Sequence, residues 1–401
     1  MKSFQYSHKI PFYRSFFKMP LPIAITPNRI GGNLMPENTD LVIIGAGPGG
    51  IAAGFRCMEE KKSYVIIEKG KRVLQGIIDS YPKGKKVYPT IPRGEDKTFP
   101  VDALAPPKEK IPVEEYVDLI EDRIQREKMN IRYGEIFKSL EVEKNHILVR
   151  TDTHTYPAKH VILGFGSNIP NDLGIYGEAR TVARNLENPE DYIGISTLVI
   201  GGGNAAADVV SALSKVKREA GDATPVYWGH IKEKFAINKD TARDLGEEIL
   251  LGGQIKILQG ATPKIGEVDS EGIDRLYIHQ SPGQNATDDV FMYQGMSFPM
   301  KNVIACIGTH GPSAIFSSLD LQQITCTGNI CKIAKEGEQL LLLSKYLETS
   351  KKGVYAIGGS ISPSYMEITD EGLIREKKHS NLIYTAVKDA VIVMEGILLS
   401  C

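Results

Sequence analysis

Two apolar runs in this chain are continuous rather than alternating, and each breaks off at a cluster of glycines. Leu41-Val42-Ile43-Ile44 stops at Gly45, and Leu198-Val199-Ile200 stops at Gly201. Short apolar runs without polar alternation predict strands buried on both faces, as in parallel sheets. The first run is followed by a predicted helix from about Gly49 through Met58, then by a second strand, Tyr64-Val65-Ile66-Ile67, ending at Glu68. The second run leads into a helix reaching about Val216 and then the strand Pro225-Val226-Tyr227-Trp228. The order strand, glycine turn, helix, strand is thus written twice. Near the end of the chain, Ala390 to Leu399 is apolar but interrupted by Glu395, and is too short to span a bilayer.

The glycines carry the first chemical signal. In DLVIIGAGPGG, Gly45 permits the tight turn out of the strand, Gly47 lets the backbone approach a pyrophosphate, and Gly50 lets the helix pack closely on the sheet. Pro48 and Gly49 complete the turn, where the helix amino terminus offers N–H groups and a positive dipole end to phosphates. Glu68, with Lys69 beside it, stands where a carboxylate accepts hydrogen bonds from ribose hydroxyls. In STLVIGGGNAAAD the same plan uses Gly201, Gly203 and Ala206, with Asn204 and Ala205 at the phosphate turn. At the end of the next strand, Gly229 is followed by His230 and Lys232 where an acidic residue would select NADH. Positive groups there suit a 2′-phosphate, so NADPH is favoured and NADH stays open. A protein holding two dinucleotides can pass a hydride between them, which points to FAD fed by a nicotinamide.

Composition narrows the remaining classes. A chain of 401 residues can build two or three cores. The formal net charge of −1, with charges mixed along the chain, argues against nucleic acid or a membrane surface as partner. Five cysteines, none in CxxC spacing, fit a reduced, cytoplasmic setting better than a disulfide framework. Residues 1–36 carry Lys2, Lys9, Arg14, Lys18 and Arg29 but no acid, and Pro11, Pro20, Pro22 and Pro27 break any amphipathic helix. We read 1–37 as an extension packed on the body or a partner, with a transit segment as the alternative.

Three further segments carry a family resemblance. Ala158 to Glu178 (AKHVILGFGSNIPNDLGIYGE), Val303 to Thr309 (VIACIGT) and Leu347 to Gly359 (LETSKKGVYAIGG) are similar to the joins of two-dinucleotide flavoprotein reductases. From about Asp40 onward the chain resembles the thioredoxin-reductase-like flavoproteins, and the run from Ile78 to Lys85 leans towards the bacillithiol-disulfide reductase branch. The resemblance implies an α/β fold of two Rossmann-like domains, an FAD domain (38–172 and 303–401) with an NAD(P)H domain (173–302) inserted. It also implies homodimers and a hinge at the joins, about which the domains rotate. By the same resemblance Tyr81, Lys83, Gly164, Gly166, Gly358, Gly359 and Ser360 join the flavin surroundings. Three departures stand out. No cysteine lies between Thr197 and Asn302, so the CxxC dithiol is missing; Gly49 stands where the bacillithiol branch has cysteine; and Gly359 replaces the usual FAD-binding Asp.

Flavin chemistry asks the protein for orientation and electrostatics, so no catalytic side chain is expected. Cys306 reads as a core thiol, and Cys326 and Cys331 as either a redox pair or an ordinary hairpin. The basic stretch Lys83 to Lys97 is either a solvated loop or a docking site for an acidic electron carrier. Flavin monooxygenases are set aside because the interval Gly164 to Glu178 has no His. The expected activity is hydride transfer from NADPH to FAD and on to a small disulfide, a quinone-like compound or a small redox protein. The alternatives are a ferredoxin- or flavodoxin-NADP reductase, or a flavin-binding sensor or subunit with little turnover.

Overall fold

The computed structural model describes residues 39–81, 85–87, 104, 111–167, 169–173, 182–268, 270–272, 274–280, 296–328, 331–334 and 336–400. The extension 1–37, Lys83, and most of the basic stretch that follows it lie outside them.

Two sheets organise the molecule, one mixed with a parallel centre and one wholly parallel. In the first, strand Thr39–Ile44 is flanked by Tyr64–Glu68 and Thr155–Leu163, both parallel to it, with Ile131–Tyr133 beyond Tyr64–Glu68. Val354–Ala356 adds a further parallel strand against Val161–Leu163, while Ile147–Thr151 and Phe137–Val142 extend the sheet as an antiparallel meander. Leu41, Val42 and Ile43 are fully buried, as the unbroken apolar run predicts. Burying each such side chain stabilises the fold by about 1.5–3 kcal/mol.

Helix α1 (Pro48–Glu59) packs against this sheet; α2 (Gln75–Ser80) and α3 (Val113–Glu127) follow in the chain. The second sheet consists of Thr197–Ile200, Val226–His230, Ile255–Gln259 and Val303–Ala305, all parallel. Helices α4 (Asn204–Glu219) and α5 (Lys239–Leu250) connect its strands. Val303–Ala305 lies in this second sheet, so the chain leaves it only after Ala305.

The two crossings between the sheets meet each other. Ile169–Pro170 on the way out pairs antiparallel with Thr309–His310 on the way back. Asn171 ties this junction together. Its N–H donates to Gly308 O, its side-chain amide donates to Ile307 O, and its Oδ1 lies 2.9 Å from His310 Nδ1. Beyond the short α6 (Ser313–Ser318), Gln323–Thr325, Gln339–Leu343, Ser364–Ile368 and Ile374–Lys378 form a four-stranded sheet. The chain then ends in α7 (Ile383–Leu399), which packs on α1.

Candidate functional site

The first glycine turn has the geometry its fingerprint requires. Gly45 adopts φ +96°, and a Cβ there would overlap Gly164 O; a Cβ on Gly50 would overlap Gly45 O. Only glycine fits these positions. Gly47, by contrast, faces open space: nothing lies within 4 Å of where its Cβ would be. Helix α1 begins at Pro48 with Gly47 as N-cap and no side-chain cap bond, so its first-turn N–H groups point at that space. A pyrophosphate fits this cradle.

Glu68 is buried at the end of its strand and braces the turn. Ala46 N–H donates to Glu68 Oε2 at 2.7 Å, and Gly70 N–H donates to Oε1 at 2.6 Å. Lys69 is exposed beside Glu68.

At the other end of the turn, four segments converge that are far apart in sequence. Gly166 N–H donates to Ser360 Oγ at 3.1 Å. A Cβ on Gly359 would stand 2.5 Å from Ser167 N and 3.0 Å from Asn381 Oδ1; one on Gly49 would stand 2.8 Å from Ile357 Cδ1 and 3.1 Å from Ala386 O. At one departure from the family pattern, Gly359, a side chain has no room: an Asp there would collide with the backbone of the crossing segment. At Gly49 a Cβ would meet chiefly the end of the Ile357 side chain, which can shift, and would sit close to the Ala386 carbonyl of α7. Gly164, Gly166, Gly358, Gly359 and Ser360 do come together around the open side of Gly166, whose Cβ position is also free.

The second turn repeats the plan. Gly201 takes φ +142°, with a Cβ position that would overlap Cys306 O; Gly203 faces open space; and α4 starts at Asn204 with no side-chain cap. Ala206 fits where the first turn needs Gly50. Three features invisible in the sequence appear here. The buried Trp228 indole N–H donates to Gly201 O at 2.7 Å. The segment after the Val226–His230 strand folds back onto the turn, with Ala236 N–H donating to Gly202 O at 2.6 Å and Asn238 N–H to Asn204 Oδ1 at 2.8 Å. His230 lies over Gly202 and against Phe235, with ring centroids 5.3 Å apart. Burial, and secondarily Lys232, lower its pKa. It packs on the glycine turn, while Lys232 stays exposed on the following loop.

The two halves touch through charged groups. Lys85 Nζ lies 3.0 Å from Asp208 Oδ2 on α4 and 4.0 Å above the Tyr81 ring. Asn185 donates to Asp79 O at 2.8 Å. Tyr81 thus sits at the junction with the second sheet. Cys306 stands near Lys85 and Asp208, and burial pushes its thiol up to about 12. The Cys331 thiol is also pushed up to about 12, by burial and by Cys326 and nearby acids. Neither thiol is activated. Among the described residues no group of side chains suits a metal ion, and no helix is long and apolar enough to cross a membrane.

Two glycine turns with free helix termini, on two joined sheets, define a two-dinucleotide oxidoreductase. A family model described as pyridine nucleotide-disulphide oxidoreductase matches residues 42–310. The chain belongs to that family, and it is an FAD-dependent pyridine-nucleotide oxidoreductase. Among curated relatives, the ferredoxin–NADP reductase of Ehrlichia chaffeensis is 28% identical over 55% of this chain, and the match spans only 60% of that enzyme. The ferredoxin–NADP reductase of Streptococcus agalactiae is 24% identical over 83% of this chain and 89% of its own length. Among solved structures, the bacillithiol disulfide reductase of Staphylococcus aureus superposes with TM-score 0.66 at 16% identity, covering 90% of this chain and 99% of that one. That likeness is one of fold.

Proposed function

We propose that the protein takes a hydride from NADPH, held at Gly201, Gly203 and Ala206, into FAD held at Gly45, Gly47 and Gly50. We further propose that the electrons leave for an external acceptor without a protein dithiol. The observation that carries this reading is the matched pair of open positions, Gly47 and Gly203, each at the uncapped start of a helix. Bound between α1 and the Gly166/Gly358–Ser360 junction, FAD supplies the hydride acceptor and the store of electrons.

The protein's own groups do the rest. The α1 terminus holds phosphate, Glu68 fixes the turn and offers lone pairs to ribose, and Gly166, Gly358, Gly359 and Ser360 line the opposite end. On the nicotinamide side Asn204 and Ala205 accompany the phosphate turn, and His230 with Lys232 supports selection of a 2′-phosphate. We place the second domain at 173–302 together with Val303–Ala305, the first at 38–172 and the remaining chain to 401. A homodimer in the cytoplasm completes the proposal.

The acceptor we favour is a small one-electron carrier of the ferredoxin class. The relatives named ferredoxin–NADP reductase support it, as does the upward shift of the Cys57, Cys306 and Cys331 thiols, which burial drives. An anaerobic titration tests the first half: NADPH should bleach the flavin band faster than NADH. Reoxidation by ferredoxin that slows as salt rises would support the carrier, whereas reoxidation by a small disulfide alone would replace it. Flavin that stays oxidised with both nicotinamides present would leave a sensor or subunit instead.

A further inference from the structure

A buried polar chain runs behind the Gly358–Ser362 turn, apart from the groups that line the two glycine turns. Gly358 N–H donates to Asp389 Oδ2 at 2.7 Å. The same oxygen lies 2.9 Å from His379 Nε2, and His379 Nδ1 lies 2.7 Å from Ser362 Oγ. Asp389, His379 and Ser362 are each less than 7% exposed. They come from α7, the end of the Ile374–Lys378 strand and the turn itself. Together they grip the turn at both ends, while Ser360 Oγ in its middle takes the Gly166 N–H.

The order resembles a hydrolase triad, but burial of the serine rules out attack on a solvent-borne substrate. The chain has another consequence. The flavin-end carboxylate that the family places at the strand end has no room at Gly359. Here a carboxylate reaches the same turn from behind, through the Gly358 amide.

We propose that Asp389, with His379 and Ser362, is the positioning group that sets the Gly358–Ser360 turn against the flavin and supplies the negative charge missing at Gly359. This rests on the FAD site proposed above. The two ring nitrogens of His379 can satisfy both neighbours, with Nε2–H donating to the carboxylate and Nδ1 accepting a hydrogen bond from the Ser362 hydroxyl. A carboxylate set behind the turn in a low-dielectric setting opposes the extra negative charge that reduction brings to the flavin. A hydrogen bond to a charged group, removed from a turn that must meet a ligand, weakens binding by about tenfold or more.

The experiment compares wild type, D389N, H379Q and S362A, reading FAD dissociation from the released fluorescence and the midpoint potential of bound flavin against reference dyes. Thermal melts check that each variant is folded. D389N should raise the FAD Kd about tenfold and make the potential more positive. H379Q should move both in the same direction by less, and S362A least. Should D389N not fold, H379Q and S362A carry the test. Folded variants matching wild type in both affinity and potential would overturn the inference, leaving the chain a packing feature. Wild type that takes up no FAD would instead defeat the site reading itself.

Discussion

The two glycine turns are built to one plan and embedded differently. The FAD-side turn is closed in by partners from the whole length of the chain: Glu68 from the next strand, Gly164 from the crossing, Ile357 and Ala386 from the last stretch. The second turn meets the distant Cys306 much as the first meets Gly164, but its other braces, Trp228, Ala236 and Asn238, all come from the strand and loop that follow it, with nothing from the last stretch of the chain. A site braced by distant segments forms only when the whole domain has folded and suits a resident cofactor. A site braced by its own loop can open and close around a substrate that comes and goes.

The largest difference between the two turns should come from Gly50→Ala. Its Cβ would overlap the Gly45 carbonyl and lie 3.3 Å from Ile43 Cγ2, with no flexible side chain to yield. We expect a loss of about 3 kcal/mol by denaturant titration and protein without flavin. Ala206 already occupies the matching place in the second turn without strain, so the two turns differ in how closely helix and strand approach. Folded, yellow G50A protein would mean that the close approach is not required.

Next in size is a matched pair, Gly47→Ala and Gly203→Ala. Both added methyls enter open space, so stability should change by less than about 0.5 kcal/mol. Each methyl fills the ground a pyrophosphate needs. Gly47→Ala should lower flavin content at fixed FAD, while Gly203→Ala should leave flavin content alone and raise the NADPH Kd about tenfold, or 1.4 kcal/mol. Loss of flavin from Gly203→Ala would show that the two sites are not separable.

How much of this could be read from sequence follows the same division. The units Thr39–Ile44 to Glu68 and Thr197–Ile200 to His230 were legible because strand burial, glycine turn and helix start are local. The reason for Gly359 was not, because it lies in the approach of Ser167, far away in the chain, and of Asn381, across an intervening hairpin. The Asp389–His379–Ser362 chain was hidden likewise: three scattered polar residues give no spacing signal. His230 was half legible. Its place after the strand suggested a 2′-phosphate contact, but not that its ring would pack on Gly202.

That ring gives the third prediction. Because burial lowers the His230 pKa, the neutral ring dominates at pH 7, and Lys232 is the exposed cation that acts on it. Lys232→Ala should therefore cut the NADPH-to-NADH preference by several-fold, about 1 kcal/mol, and His230→Asn less at neutral pH. Below pH 6.5 the unfolded chain takes up the proton before the folded one does, so the apoprotein loses stability as pH falls. A bound 2′-phosphate favours the charged ring, so the preference should rise on acidification in wild type and stay flat in His230→Asn. Steady-state ratios across that range decide it.

The smallest effect concerns the bridge between the halves. Burial raises the Asp208 pKa even though Lys85 opposes it, so the pair repays only part of what burying the carboxylate costs. Removing Lys85 strands that charge between the two bodies, whereas removing the charge itself does not. Lys85→Met should thus disturb the reductive half-reaction more than Asp208→Asn, by a few-fold in stopped-flow bleaching. The double variant should return towards wild type. If both single variants were equally slow and the double slower still, the pair would be contributing attraction rather than relieving a buried charge. The junction would then be a clamp that favours one orientation, not a contact the two halves can leave cheaply.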